Sequence, residues 1–134
     1  MCAGLLLTLL GLPRLTPAQE VRYIYDDLNR LIGVVDPQGN AAEYVYDAVG
    51  NMLQIKRFTV DPTANVSISL VIPSKGTVGT SVQLFGKGFS ADPAQDRVTF
   101  SGGASATVSA ATSTSLTTTA PLRDIIAPSQ AQVA

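Results

Sequence analysis

A near-duplication at a fixed offset constrains this chain more than any other feature. The segment Y-I-Y-D-D-L-N-R-L begins at Tyr23, and Y-V-Y-D-A-V-G-N-M begins 21 positions later at Tyr44. Between the copies lies D-P-Q-G-N, residues 36–40, a Pro/Gly turn signal that closes one unit and opens the next. A repeat of this period is a supersecondary unit that stacks on its neighbours, so it predicts packing rather than catalysis.

The tyrosine spacing within each copy predicts β-strands. Side chains two positions apart share a strand face, so Tyr23 pairs with Tyr25, and Tyr44 with Tyr46. Residues 27–29 and 48–50 end in Asn or Gly, which suits a type I turn followed by a left-handed residue. We therefore predict a four-stranded antiparallel meander from Val21 to Phe58.

The pattern Y-x-Y-D-x-x-G-[RN]-L followed by D-P-x-G-N resembles the Rhs/YD repeat of bacterial rearrangement-hotspot proteins, polymorphic toxins and animal teneurins. Asn29 replaces the family Gly, and Met52 replaces the usual Leu. The resemblance implies a repeat role for Tyr23, Tyr25, Asp26, Asn29, Arg30, Asp36, Pro37, Gly39, Asn40, Tyr44, Tyr46, Asp47, Gly50 and Asn51. In that family many repeats wind into a β-shell that encloses a toxin or displays an adhesive surface, whereas two repeats cannot enclose anything.

The second half of the chain is rich in Ser, Thr, Gly, Ala and Val. Val66, Ile68, Leu70 and Ile72 alternate with other residues, which predicts a strand with one buried face. Further short strands follow at similar spacing, separated by Gly-rich turns. This arrangement is typical of a β-sandwich.

The run G-T-x-V-x-L-x-G-x-G-F, residues 79–89, resembles the IPT/TIG domain of plexin-type receptors, some transcription factors and many bacterial secreted proteins. The resemblance implies an immunoglobulin-like fold. It assigns motif positions to Pro73, Gly76, Gly79, Thr80, Val82, Leu84, Gly86, Gly88 and Phe89. Gly86 and Gly88 do not form a phosphate-binding loop, because a β-pattern and not a helix follows them.

These features predict an all-β chain with four segments. Residues 1–18 are predicted to be a signal peptide, because an apolar run too short to cross a bilayer precedes small residues. Residues 19–58 carry the repeats, 59–65 form a linker, and 66–134 form the IPT/TIG domain. We expect that domain to be truncated at its C-terminus, with its last strand, near residues 131–134, incomplete.

Composition excludes several kinds of chemistry. The 134 residues contain no His, no Trp and a single cysteine, Cys2, so neither a Ser-His-Asp site nor a Cys/His zinc site can form. Carboxylates are concentrated at Glu43, Asp26, Asp27 and Asp47, at predicted hairpin ends where Asp caps turns. We predict no enzyme activity, no cofactor and no metal. A formal net charge of −1 also argues against nucleic-acid binding.

The sequence therefore predicts a non-enzymatic structural or interaction module, secreted or held at a bacterial cell surface. The mature chain would have no membrane span, and the expected partner is a protein or a carbohydrate. It could be a fragment of a longer surface protein. Two alternatives stay open: a fragment of an Rhs-type toxin-delivery shell, and a carbohydrate-binding module that stacks sugar rings on tyrosine.

Overall fold

The computed structural model describes residues 20–100, 103–121 and 132–133. Within these residues the chain forms eleven short β-strands and one 3₁₀ helix, and no α-helix is present. The prediction of an all-β fold is confirmed. The predicted signal peptide, residues 1–18, lies outside the described residues.

The first half forms one antiparallel meander, here called the repeat sheet. Its strands are β1 (Arg22–Tyr25), β2 (Leu31–Val35), β3 (Ala41–Tyr46) and β4 (Met52–Phe58), and they neighbour each other in chain order. The four-stranded meander predicted for this segment is confirmed.

The second half forms two further sheets. Its strands are β5 (Ser67–Ile72), β6 (Ser81–Lys87), β7 (Val98–Thr99), β8 (Ser105–Ala106), β9 (Val108–Thr112), β10 (Ser115–Thr119) and β11 (Gln132–Val133). The central sheet has the order β5-β6-β10-β9, and the small sheet has the order β11-β7-β8. A 3₁₀ helix, Pro93–Gln95, lies between β6 and β7, and the Asp92 carboxylate caps it by accepting from the Ala94 N–H.

The central and small sheets enclose a hydrophobic core, here called the sandwich core. It consists of Val71, Val82, Leu84, Phe89, Val98, Phe100, Val108, Leu116 and Ala120. Burial of each large side chain of this kind stabilises the fold by about 1.5–3 kcal/mol. This core is the main hydrophobic cluster among the described residues.

The opposite face of the central sheet is also buried, because the repeat sheet packs against it. A second cluster, here called the shared core, joins Val35 and Ala41 of the repeat sheet to Leu70 and Phe85 of the central sheet. Ile24, Phe58 and Ile72 pack at its margin. The molecule is therefore a three-layer arrangement in which the central sheet is the middle layer.

Strand β5 does not have the single buried face that its alternation predicts. Its register against β6 shifts between Ile68 and Leu70, so a bulge at Ser69 interrupts the alternation. As a result Ile68 and Val71 face the sandwich core, while Leu70 contributes to the shared core. The prediction of one buried face was wrong because a bulge moves the following side chains to the other side of the sheet.

Residues 59–65, predicted to be a linker, contain no strand and connect β4 to β5. Within them Val60 is buried, and its N–H donates to Asn40 Oδ1 at 3.0 Å. Asp61 accepts from the backbone and the hydroxyl of Thr63. The division into separate domains stays a prediction.

Candidate functional site

Three turns of the same design connect the strands of the repeat sheet. They cover residues 26–30, 36–40 and 47–51, and each begins with an aspartate. In each turn Oδ1 of this aspartate accepts from the backbone N–H groups of the third and fifth residues. The other oxygen, Oδ2, accepts from the fifth side chain: Arg30 at 2.8 Å, Asn40 at 2.8 Å and Asn51 at 2.9 Å.

The fourth residue of each turn has a left-handed backbone. Its φ is 58° at Asn29, 90° at Gly39 and 96° at Gly50. Gly adopts this region freely and Asn does so more easily than most residues, which explains these identities. The left-handed residues predicted for 27–29 and 48–50 are confirmed. D-P-Q-G-N also adopts this turn, and the shared pattern D-x-x-[GN]-[RN], which occurs three times, is the sequence signal that identifies it.

Hydrogen bonding lowers the pKa of the first and third turn aspartates. The backbone hydrogen bond from Arg30, helped by its side chain, lowers the pKa of Asp26 below its ordinary 3.8. The Asn51 side chain and backbone likewise lower the pKa of Asp47. Carboxylates held in this way stabilise turns and are poor proton donors near neutral pH.

The middle turn also attaches the repeat sheet to the central sheet. The carbonyl oxygen of Gly39 accepts a hydrogen bond from the buried hydroxyl of Ser69. A Cβ at Gly39 would lie 2.0 Å from the carbonyl oxygen of Gly86, so only glycine fits there. Pro37 and Gln38 complete this turn, which therefore combines a chain reversal with a docking contact.

The repeat sheet has a second face, here called the outer face, that points away from the shared core. Strand register places Tyr23 beside Val34, Val34 beside Ala42, and Ala42 beside Arg57. A second row places Tyr44 beside Ile55. These residues alternate with the core-facing residues Ile24, Gly33, Val35, Ala41 and Phe58, so they lie on the opposite side.

Exposed apolar side chains are concentrated in the repeat sheet and its turns. Among the described residues, the exposed large hydrophobics are Val21, Tyr23, Tyr25, Leu28, Val49, Met52, Leu53, Ile55 and Val78. Every one except Val78 lies between residues 21 and 55. A concentration of this kind marks a contact surface more often than scattered single residues do.

The four tyrosines are not equivalent. Tyr23 and Tyr25 are 58% and 57% exposed, whereas Tyr44 and Tyr46 are partly buried. The Tyr46 hydroxyl donates to the Leu31 carbonyl at 2.9 Å, and the Arg30 guanidinium lies 5.0 Å from its ring centre. Tyr46 thus helps to hold the sheet together, while Tyr23 and Tyr25 are available for contact.

Two grooves lie between the repeat sheet and β5. The larger, about 420 Å³, is lined by Phe58, residues 68–71, and the ion pair of Glu43 with Lys56, whose charged atoms are 3.3 Å apart. The smaller, about 280 Å³, lies beside Arg30, Tyr44–Tyr46 and Ile72–Ser74. The wall of the larger groove is mainly apolar, whereas the smaller groove is lined by both polar and apolar side chains, and both grooves adjoin the shared core.

The residues of the IPT/TIG motif lie in the sandwich rather than at the outer face. Val82, Leu84 and Phe89 belong to the sandwich core, and Gly86 and Gly88 approach the backbone of β5 and the segment before it. Pro73, Gly76, Gly79 and Thr80 form the β5–β6 loop, in which the Thr80 hydroxyl accepts from the Thr77 N–H. These positions therefore have packing and turn roles.

The carboxylates that the sequence offers do not converge on a reaction centre. Asp26 and Asp47 are engaged in turns, and Glu43 pairs with Lys56. Across residues 20–100, 103–121 and 132–133, no three Cys, Asp or Glu side chains form a group that could hold a metal ion. The same residues contain no helix long and apolar enough to cross a membrane.

Comparisons with known proteins support the repeat assignment. Residues 21–58 match the family model of the RHS repeat. The Rhs/YD resemblance is thereby confirmed for this segment, and the IPT/TIG assignment of residues 66–134 stays a prediction. No curated protein sequence matches the chain.

The chain is also similar to a solved crystal structure, that of an auxiliary nutrient binding protein from Bacteroides thetaiotaomicron VPI-5482. The two share 35% sequence identity, with a TM-score of 0.41. The match covers 46% of this chain and 14% of the other, so the chain spans a small part of that protein. Residues 21–58 match the RHS repeat model, and the outer face of the sheet that they form is the candidate site.

Proposed function

We propose that this chain is a non-enzymatic interaction module, secreted or held at the cell surface, that contacts a partner through the outer face of its repeat sheet. One observation carries the proposal. On the core-facing side of the repeat sheet, Val35 and Ala41 are buried on the central sheet, while the other side presents Tyr23, Tyr25 and Ile55 to solvent. RHS repeats are typical of secreted and surface proteins, which is consistent with this role.

The hydrogen bonding of the acidic side chains also supports a contact function. The carboxylates of Asp26 and Asp47 accept several turn hydrogen bonds each, and their pKa values are lowered. General acid catalysis would instead require a carboxyl with a raised pKa in a cleft. The module is therefore proposed to bind and not to react.

The proposal is tested by binding to the envelope of the producing cells. We compare the unmodified chain, a Tyr23→Ser/Tyr25→Ser variant, and Val78→Ser, which removes an exposed apolar side chain from the sandwich loop. We expect the double variant to bind at least about tenfold more weakly and Val78→Ser to bind normally. Equal binding of all three folded proteins would exclude the outer face as the contact site.

Carbohydrate is the second candidate ligand. Tyr23 and Tyr25 lie on one strand with more than half of each side chain exposed, and exposed aromatic rings can stack on sugar rings. Because the chain has four tyrosines and no tryptophan, its intrinsic fluorescence reports on the repeat sheet. A sugar that stacks there should change this fluorescence in the unmodified chain and not in the double variant.

An Rhs-type toxin-delivery shell is the remaining alternative. It would make this chain one segment of a longer β-shell, with the outer face covered by other parts of that protein. The RHS match at residues 21–58 supports the toxin-delivery shell and the interaction module equally, because the same repeats serve both roles. Free chain that binds the envelope through Tyr23 and Tyr25 would favour the interaction module over the shell.

A further inference from the structure

The repeat sheet ends in a strand that is open along one side. Strand β4 pairs with β3 only, among the strands that the structure describes, and six of its seven residues are exposed. Its opposite edge therefore presents unpaired backbone N–H and C=O groups, which can form a ladder with another strand. The core-facing side chains Gln54 and Lys56 are exposed, so the central sheet does not cover them.

We propose that a second copy of this chain pairs with the free edge of β4, across a two-fold axis at Ile55. The two repeat sheets then form one eight-stranded sheet. This inference does not depend on which ligand the outer face binds. It concerns how two copies of the chain associate.

The sequence of β4 suits antiparallel pairing with itself. With Ile55 opposite Ile55, Lys56 lies opposite Gln54, and Arg57 lies opposite Leu53. No like charges are then directly opposed, whereas a register centred on Lys56 would place two lysines opposite each other. The charges therefore favour pairing about Ile55 over that alternative.

The same register extends the outer face. Tyr44 already lies beside Ile55 within one copy, so the pairing would create a continuous row of Tyr44, Ile55, Ile55 and Tyr44. Aromatic and β-branched side chains form favourable cross-strand pairs of this kind. The bulge of β4 lies at Leu53, so the regular pairs of this register are those of residues 54–56, and Arg57 faces the bulge.

The other edge of the repeat sheet fits a second copy less well. Strand β1 has four residues, Arg22–Tyr25. Opposed side chains must lie on the same face, so β1 can pair with itself over only three of them. Strand β4 offers the longer edge.

Sedimentation of the full chain over about 10 µM to about 1 mM tests the association, since an interface built on one strand edge is small. We expect a monomer–dimer equilibrium that Ile55→Lys weakens by about tenfold or more. The matched control is Val49→Lys, at an 84% exposed turn position, which should behave normally. A chain that stays monomeric throughout, or an Ile55→Lys variant that dimerises normally, would overturn the proposal.

A crosslinking experiment tests the register. In a Cys2→Ser background, which removes the single native cysteine, Ile55→Cys should form an intermolecular disulfide on mild oxidation. Gln54→Cys should crosslink more slowly, because pairing about Ile55 places the two copies of residue 54 diagonally apart. Faster crosslinking through residue 54 would contradict the proposed axis.

Discussion

The repeat sheet and the sandwich are both built from short antiparallel strands, but they are stabilised differently. The sandwich encloses a core drawn from many strands, including Val82, Leu84 and Leu116, which are fully buried. The repeat sheet contributes only Val35 and Ala41 to its buried cluster and takes Leu70 and Phe85 from the central sheet. Its own strands are connected by local turn hydrogen bonds instead.

This difference shows what the repeat sheet packs against in place of a further repeat. A repeat unit does not bury its hydrophobic face alone and normally stacks on further repeats. Here the central sheet takes the place of a neighbouring repeat on one side, through Phe85 and Leu70. The other side keeps its apolar surface exposed. The repeat sheet should therefore depend on the sandwich more than the sandwich depends on it.

The largest expected effect comes from truncating the central-sheet side chain that the repeat sheet packs on. Phe85 is 1% exposed and the Arg22 guanidinium lies 5.8 Å from its ring centre. Phe85→Ala should lower the free energy of unfolding by about 3–5 kcal/mol, mainly for the repeat sheet. Urea unfolding followed by tyrosine fluorescence measures this change.

The neighbouring residue provides the control for that variant. Leu84 points into the sandwich core, so Leu84→Ala should destabilise the sandwich and the repeat sheet together, by about 2–5 kcal/mol. If Phe85→Ala and Leu84→Ala gave the same unfolding profile by every probe, the distinction between the two cores would be wrong.

A matched pair of turn glycines separates docking from local geometry. Gly39 and Gly50 both have left-handed φ, but a Cβ at Gly39 would meet the Gly86 backbone, whereas one at Gly50 meets nothing within 4 Å. Gly50→Ala should cost about 1 kcal/mol, which is the left-handed penalty alone. Gly39→Ala should cost about 3 kcal/mol, because the central sheet must also shift. Equal costs, measured by thermal unfolding, would show that the middle turn is not a docking element.

The turns and strands of the repeat sheet could be predicted from the sequence, because they depend on residues that are close together in the chain. Asp47 with Gly50, and Asp26 with Asn29, are sufficient to predict a tight turn, and the four strands between Val21 and Phe58 follow from them. The packing of the repeat sheet could not be predicted in this way. Leu70 and Val71 are both apolar, and only the bulge at Ser69 decides which of them faces the repeat sheet.

The candidate site was predictable in part. The tyrosine alternation identified Tyr23 and Tyr25 as residues of one strand face, but exposure depends on which face the central sheet covers. That choice depends on contacts between distant residues, such as the Arg22 guanidinium donating to the Ser115 hydroxyl at 3.0 Å. The residue spacing within the repeats does not show which face of the repeat sheet the central sheet covers.

A smaller effect is expected at the turn whose left-handed residue is not glycine. Asn29 has a φ of 58°, so Asn29→Gly should stabilise the fold by about 0.5 kcal/mol, because glycine adopts this conformation without strain. Asn51→Gly is the contrasting change. It removes the side-chain hydrogen bond to Asp47 and should destabilise the turn. A thermal shift in the opposite direction at either position would contradict the turn assignment.

The smallest expected effect is a pH dependence of the folding stability that arises in the exposed turns. The pKa values of Asp26 and Asp47 are lower in the folded chain than their ordinary 3.8, so the unfolded chain takes up protons first as the pH falls. Their stabilising contribution should be complete above about pH 5 and be lost progressively below about pH 4. The double variant Asp26→Asn/Asp47→Asn should lose less stability as the pH falls below about 4 than Asp27→Asn does. Asp27 is the control because its carboxylate takes no part in the turn hydrogen bonds. If the double variant lost as much stability at low pH as Asp27→Asn, these two carboxylates would be excluded as the source of the pH dependence.

The dependence of the repeat sheet on the sandwich is tested most directly by unfolding the unmodified chain with two probes. Tyrosine fluorescence follows the repeat sheet, because all four tyrosines lie within it, and hydrogen exchange of the β6 and β10 amides follows the central sheet. We predict that the tyrosine signal is lost at a denaturant concentration no higher than that at which these amides lose protection, because the repeat sheet cannot persist without the central sheet. A tyrosine signal that persisted after the β6 and β10 amides had lost their protection would contradict this dependence.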